Sequence, residues 1–412
     1  MLSIEQGVDY DGVDEAELPY KHVRNLGHGH SGTVEEVQDQ MTGKFYARKT
    51  IQIPISKAMK AARTKVFLNE AQIIRRLGRH HHIVNVFATY VTKRYFGIIL
   101  QPVATNGDLE HFIAEYSNEL GYNTSGSASS RLGAMTCVLE QGFGCLAAGL
   151  AFMHKKKIRH KDIKPHNILV HDGILIYTDF GYSFDSNGFT GSTSEGRPDF
   201  LTRRYSAPEV LLYDQRNSKS DVYSLGCVFI DIFAALTQSL LFDDDTSFSH
   251  SMDKVHGQLD QIQSDRLAIL PSTIKSMTAL DQKARLNADQ LVVILNAHAH
   301  LHCAECGQKC SIVAPSTGID IQSPGMEASQ GQSHVESTAL SSEVTDNVHL
   351  RTTTRDQWFW SPEYGNYYLM TIGADGELIS SKLPVARVKS LITYRSRQLS
   401  HSMGRDSRKL GH

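Results

Sequence analysis

Cysteine is scarce in this sequence, with six among 412 residues, and that argues against a disulfide framework. Cys137, Cys145 and Cys227 stand singly in apolar helical patterns, where small buried thiols are the ordinary outcome. A reducing setting fits, cytoplasmic or nuclear. Long hydrophobic runs are also missing: the longest, 226–236, is interrupted by Asp231 and is too short to span a bilayer, so it reads as a buried helix. The N-terminal stretch MLSIEQGVDYDGVDEAE has neither a basic start nor an apolar block, which argues against a signal or transit peptide. An excess of one charge is absent as well, since 42 Lys and Arg stand against 44 Asp and Glu. No global field therefore marks a nucleic-acid or membrane-surface binder, and recognition must be local. No internal repeat is visible. A soluble, non-secreted protein is expected, with neither nucleic acid nor a membrane as partner.

What the sequence does contain is a change of periodicity. From 21 to 100, short alternating or β-branched runs (KHVRNLG, TVEEVQ, KFYARKTI, HIVNVFATYV, FGIILQ) are broken by one long amphipathic stretch at 56–77. Five strands and one helix are predicted. After Gly107 the period is mainly helical, with helices expected at 108–116, 134–155, 220–236 and 284–298, and short strands at 168–170 and 174–177. This segregation predicts an α+β fold of two lobes, a small five-stranded one with one helix and a larger, mainly helical one. Ligands favour the crevice between such lobes. The Gly/Ser/Asn-rich stretch 121–130 reads as a surface loop, and 311–347, rich in Ser, Thr, Gln and Gly, as a disordered linker.

Several motifs fall along this frame. Gly27, His28, Gly29, Gly32 and Val34 lie in GHGHSGTV between two strand-like runs, where backbone amides can approach phosphates without Cβ interference. A plain hairpin turn uses glycines in the same way. Fifteen residues beyond Val34, Lys49 ends the run FYARK, with Ala47 two before it, and suits the α- and β-phosphates of ATP. Glu70 lies on the predicted helix beside an apolar face of Ile73, Ile74 and Leu77, from which it can turn inward to Lys49. The string IRHKDIKPHNILV is more specific. There Asp162 can orient an incoming hydroxyl, Lys164 can neutralise a γ-phosphate, and Asn167 offers an amide oxygen to Mg²⁺ or Mn²⁺. Asp179 in Asp179-Phe180-Gly181 ends the strand ILIYT and suits the same metal. Ala207-Pro208-Glu209 closes the segment that starts there.

With these strings in this order, residues 20–300 resemble the eukaryotic protein kinase family. The resemblance implies phosphoryl transfer from ATP to protein substrates, with Asp162, Lys164 and Asn167 catalytic and Asp179 and Asn167 on the metal. It implies that Asp221, in DVYSLGC, braces the loop around Asp162, and that Arg285 pairs with buried Glu209. Lys164 and Thr202 are similar to what Ser/Thr-specific members carry. It implies a hinge for adenine at 101–104, with Gln101 as gatekeeper, the Pro102 carbonyl as acceptor and the Ala104 N–H as donor. Three features depart from the family. Lys161 stands where an arginine is usual, which turns a bidentate phosphate clamp into a point charge. Ser31 replaces an aromatic at the glycine-loop tip and loosens the lid. The activation segment carries Thr190, Ser192, Thr193 and Ser194, phosphorylatable in principle but ordinary for a polar loop. A scaffold that binds partners without catalysis and a small-molecule phosphotransferase are the other readings. The complete set of polar residues weighs against the first and the AlaProGlu ending against the second.

Beyond the domain, Cys303, Cys306 and Cys310, with His302, His298 and His300, form a soft-ligand cluster. Four ligands within nine residues are crowded for zinc, so an unliganded polar segment is the favoured reading. Trp358, Trp360, Tyr364, Tyr367 and Tyr368 precede a GlyAlaAspGly turn, and 351–385 reads as a small hairpin with an aromatic face. It resembles Trp- and Tyr-rich segments found after some fungal kinase domains, and a docking partner is its expected use. The resulting plan is an acidic segment at 1–19, the domain at 20–300, a Cys-containing and then disordered linker at 301–350, the aromatic module, and a basic disordered tail at 386–412.

Overall fold

The computed structural model describes residues 1–29, 32–122, 130–185, 202–239, 247–311, 357–361, 366–372 and 378–380. The chain divides into two compact units, Met1–Ile319 and Asp320–His412. In the first, strands β1 (Asp9–Tyr10), β2 (Tyr20–Gly29), β3 (Gly32–Asp39), β4 (Phe45–Gln52), β5 (Asn85–Val91) and β6 (Tyr95–Gln101) form one sheet in the order β1-β5-β6-β4-β3-β2. The five expected strands pair antiparallel, and β1 adds a short parallel edge beside β5. That sixth strand lies in the stretch read from its charge as an acidic leader. Its Asp9 carboxylate takes a two-pronged contact from Arg75 at 2.6 and 2.7 Å. Ile4 and Leu18 bury against Tyr20, Val37, Tyr46, Ala88, Tyr90 and Ile99, covering one face of the sheet. Gly97 is required here, because a Cβ on it would lie 2.1 Å from the Tyr90 ring.

The other face carries α1 (Lys57–Leu77), which buries Phe67, Glu70, Ala71, Ile73, Ile74 and Leu77. These positions recur at helical spacing and make the single stripe that the amphipathic pattern predicts. Phe67 stacks on Phe96 of β6 with ring centroids 4.9 Å apart. The helix stops at Gly78, whose φ of 71° lets its amide reach back to Ile74 and Arg75.

The larger lobe is built from α2 (Leu109–Tyr122), α3 (Ser130–Lys155), the strands β7 (Ile158–Arg159), β8 (Ile168–His171), β9 (Ile174–Tyr177) and β10 (Phe184–Asp185), then α4 (Pro208–Leu211), α5 (Lys219–Thr237), α6 (Phe248–Leu259), α7 (Leu270–Met277), α8 (Ala288–Asn296) and α9 (Ala304–Ser311). α3 and α5 have the length and hydropathy of a membrane span, but 67% and 72% of their most apolar stretches is buried inside the protein. Their apolar surface already has a partner, as core helices require. α6 and α7 were not expected from the sequence. Their signal is a sparse stripe, Phe248, Met252, Val255 and Leu259 in α6, interleaved with Ser, His, Asp and Lys.

In the second unit β11 (Gln357–Ser361), β12 (Asn366–Ile372) and β13 (Leu378–Ser380) form an antiparallel sheet in that order, with Trp360 opposite Tyr367 and Phe359 opposite Tyr368. The loop positions 123–129, the activation-segment residues Thr190, Ser192, Thr193 and Ser194, Ser31, residues 312–347 of the linker, Tyr364, and the tail 386–412 lie outside the described residues.

One buried ion pair ties α4 to the segment between α7 and α8. Arg285, with a side chain 0% exposed, holds Glu209 through two contacts of 2.7 Å and also donates to the carbonyls of Ala279 and Leu280. Burial pushes the Glu209 carboxyl up, but the Arg285 guanidinium outweighs it and holds the group below the usual 4.5. Arg285→Ala leaves that carboxylate buried without its counter-charge, so it should destabilise the domain by about 3–5 kcal/mol in urea unfolding at neutral pH. A depressed carboxyl confers stability above its unfolded value and loses it as pH falls through its folded one. The stability gap between wild type and Glu209→Gln should therefore narrow on acidification below 4.5, and a gap constant through that range would remove Glu209 from this role.

Candidate active site

The site is assembled from both lobes. On β4, Lys49 stands opposite Val34 of β3 and Ile98 of β6, and strand alternation puts it on the same face as Ala47, away from Arg48. Its Nζ donates to both oxygens of Glu70, at 2.7 and 2.8 Å, and to Oδ1 of Asp179 at 2.9 Å. Burial opposes the Lys49 charge, but the carboxylates of Asp179 and Glu70 hold its pKa above the ordinary lysine value. Burial likewise pushes Asp179 up, and Lys49 more than compensates, so the carboxyl sits below its usual range. Asp179 has φ 60°, a left-handed backbone that an aspartate tolerates better than most residues. Asn69, next to Glu70 on α1, donates to the carbonyls of Gly181 at 3.2 Å and Ser183 at 3.0 Å. The helix therefore grips the backbone after Asp179 as well as the lysine.

The loop from His160 to Asn167 is held from below by α5. Asp221 is 3% exposed and accepts from the amides of His160 and Lys161, both at 2.9 Å, and from His154 Nε2 at 3.0 Å. Burial pushes its carboxyl up, yet these bonds, with His154 foremost, hold it below the ordinary value. Lys161 has φ 69°, and its Nζ lies 5.9 Å over the Phe184 ring. His160 Nε2 lies 3.0 Å from the carbonyl oxygen of Thr178, and the Thr178 amide donates to the Asn167 carbonyl at 3.0 Å. The strand end carrying Asp179 is thereby stitched to the loop.

Within the loop, Asn167 Nδ2 donates to the Asp162 carbonyl at 2.8 Å and to its Oδ2 at 2.9 Å. Lys164 Nζ lies 2.9 Å from the same Oδ2 and 3.0 Å from Thr202 Oγ1. Thr202 in turn donates to Asp162 Oδ1 at 2.7 Å. One carboxylate thus has both oxygens fixed by an amide, an ammonium and a hydroxyl. Asn167 spends its NH₂ on Asp162, and its side-chain oxygen is the atom left to offer elsewhere.

These residues line one cleft of about 1010 Å³. Leu26, Val34, Ala47, Val84, Leu100 and Leu169 make an apolar compartment, and Lys49, Asp162, Lys164, Asn167 and Asp179 a polar one. Gly27 and Gly32 form its rim. Gly32 has φ 152°, and a Cβ there would lie 2.3 Å from the Thr50 carbonyl oxygen, so the position admits only glycine without movement. Gly29 pairs with Gly32 at the tip of the two strands, while the His28 side chain falls outside the described residues. Pro102 and Ala104 line the cleft and Gln101 is not among its lining residues. Leu100 stands opposite Ala47, and the same alternation turns its neighbour Gln101 to the other face. Leu26, Val84 and Leu169 were not singled out from the sequence. Leu169, two residues beyond Asn167 on an alternating strand, carried the one usable signal.

The cysteine-rich stretch is arranged differently from its spacing. Cys303 and Cys306 come together with His82 and with Cys145 of α3, the thiol read as a lone core residue. His302 lies 3.2 Å from the Cys303 carbonyl through Nδ1, and His300 2.8 Å from the Arg266 carbonyl. The Cys310 side chain is outside the described residues.

Comparison with known proteins agrees with this architecture. Residues 20–294 match the family model for the protein kinase domain. Cyclin-dependent kinase 4 of Mus musculus is 28% identical over 220 residues, 52% of this chain and 67% of that protein. Mitogen-activated protein kinase kinase kinase A of Dictyostelium discoideum is 29% identical over 217 residues, 51% of this chain but 20% of the relative. The serine/threonine-protein kinase ksg1 of Schizosaccharomyces pombe is 24% identical over 285 residues, 66% of this chain and 44% of the relative. With its family match spanning both lobes and the whole cleft, the chain belongs to the protein kinase domain family.

Proposed function

We propose that this protein transfers the γ-phosphate of ATP to Ser and Thr hydroxyls of protein substrates. The observation that carries this reading is the three-way contact of Lys49 with Glu70 and Asp179, in the same cleft as the fixed Asp162 carboxylate. In this reading adenine lies between the apolar walls, with the Pro102 carbonyl and the Ala104 amide at its edge. Lys49 and the glycine loop hold the phosphates. Asp162 accepts the hydrogen bond of the acceptor hydroxyl and sets its line of approach, and Lys164 balances charge on the transferred group. A hard divalent ion suits the donor set, which offers the Asp179 carboxylate and the Asn167 amide oxygen and no soft ligand. Bound there, Mg²⁺ or Mn²⁺ would neutralise charge between the β- and γ-phosphates. Ser/Thr preference is supported by the Asp162, Lys164 and Thr202 triangle, which leaves the base ringed by short contacts, and by the named kinase of Schizosaccharomyces pombe. The complete polar set argues against the scaffold reading, which needs none of it.

Asp162→Asn should lower kcat on a Ser/Thr/Tyr peptide library by about 10²–10⁴-fold, with product confined to phosphoserine and phosphothreonine in the wild type. Equal phosphopeptide yields from the two proteins would refute the assignment. Lys49→Met should reduce kcat/KM for ATP at least several-fold, and unchanged kinetics would show that Lys49 does not touch phosphate. Chelation of divalent ions should abolish transfer, and Mg²⁺ or Mn²⁺ should restore it. Transfer that persists in excess chelator would mean that Asp179 and Asn167 serve another purpose.

A further inference from the structure

A second polar centre lies behind the cleft, where three distant parts of the chain meet. His82 sits in the turn between α1 and β5 and is 0% exposed. Its Nδ1 lies 2.7 Å from the Leu175 carbonyl oxygen, an acceptor only, so Nδ1 carries the proton and Nε2 presents a lone pair. That lone pair faces sulfur: Cys306 Sγ at 3.2 Å and Cys303 Sγ at 3.6 Å. Cys145 of α3, 3% exposed, completes the group, and its sulfur accepts from the Cys303 amide at 3.2 Å. The imidazole nitrogen and the three sulfurs all lie within 4.8 Å of one another.

We propose that His82, Cys145, Cys303 and Cys306 form a structural zinc site. Zinc with sulfur at about 2.3 Å and nitrogen at about 2.0 Å needs its tetrahedral ligands about 3.5–3.8 Å apart. The nitrogen-to-sulfur spacings of 3.2 and 3.6 Å approach that shape before any metal draws the ligands together. The second shell is built as well, because a zinc-binding histidine donates its other ring N–H to a carbonyl or carboxylate, as His82 does to Leu175. Cys303 and Cys306 supply the two-residue knuckle, which alone is half a site. The missing half comes from Cys145 and His82, which lie 158 and 221 positions away from Cys303 in the chain. Gly144 makes the approach feasible: a Cβ there would lie 2.5 Å from the Leu301 carbonyl oxygen, so only glycine lets this backbone press against α3 and deliver Cys303 to its neighbour.

A disulfide explains the geometry less well. It would consume two of the three sulfurs and leave the third and the oriented imidazole unused. Four protein ligands close the coordination sphere, which is the form of a structural site and leaves no position for a substrate. The metal would pin α9 to α3 and to the turn beneath the sheet.

The full chain, expressed without a polyhistidine tag and purified without chelator, should carry one zinc per molecule by elemental mass spectrometry. The exposed Cys137 is the control: Cys137→Ser should keep that zinc, whereas Cys306→Ser and His82→Ala should lose most of it. Should those two variants fail to fold, wild-type protein reconstituted with cobalt(II) provides an independent reading, through the visible bands and thiolate charge-transfer absorption of a tetrahedral centre. Wild-type protein that holds no zinc with its thiols reduced, that shows a disulfide among Cys145, Cys303 and Cys306 by non-reducing mass mapping, or that gives an octahedral cobalt spectrum would overturn the proposal.

Discussion

A buried ammonium with two carboxylates around it organises the first unit. Lys49 would be unstable in its position alone, since taking an ion out of water costs several kcal/mol even after relaxation. Glu70 and Asp179 make it tenable, and each arrives on a different element: one from α1, the other from the end of β9. The pairing is therefore a condition on three elements at once. If α1 rotated or slid, Lys49 would lose the partner with which it shares two contacts, and the backbone after Asp179 would lose the amide of Asn69. The lobes are in register because the charge accepts no other arrangement cheaply.

Much of this was legible in the sequence because the chemistry is written in short strings. Asp162, Lys164 and Asn167 lie within one stretch of loop and meet through contacts at most five residues apart, so local spacing sufficed. Lys49 and Glu70 are farther apart, but strand alternation and the helical stripe of Ile73, Ile74 and Leu77 each pointed to the buried side. Which residue at the end of β6 faces the cleft was harder to read. Gln101 and Leu100 are adjacent, and a shift of one residue in a strand reverses the face, which spacing alone does not resolve. The register opposite Ala47 does.

Other features escaped because their signal is scattered. The first residues read as acidic, yet the apolar side chains among the charges, Ile4 and Leu18 with Leu2, Tyr10 and Val13 packed against them, close one face of the sheet. Counting charge gives no weight to single leucines. The thiol of Cys145 looked like ordinary core because nothing near it in the chain is a ligand, and His82 was one of three consecutive histidines. Only the fold brings them to Cys303 and Cys306. Contacts that span two hundred residues leave no local trace, whereas the crowding of Cys and His after residue 297 was visible and pointed to His302, whose ring nitrogen instead lies against the Cys303 carbonyl.

The bracing of the His160 loop by Asp221 bears on how the chain comes into being. The amides of His160 and Lys161 end on a carboxylate 61 and 60 residues downstream, and α5 is itself buried on nearly every side. A nascent chain that has emerged only as far as Leu212 would hold the glycine loop, Lys49, Asp162 and Asp179, and still lack the floor on which the loop is laid. The loop thus gains its support late in synthesis, with the helical core, and a fragment cut before α5 would carry each of those residues without the carboxylate that holds two of the loop's amides.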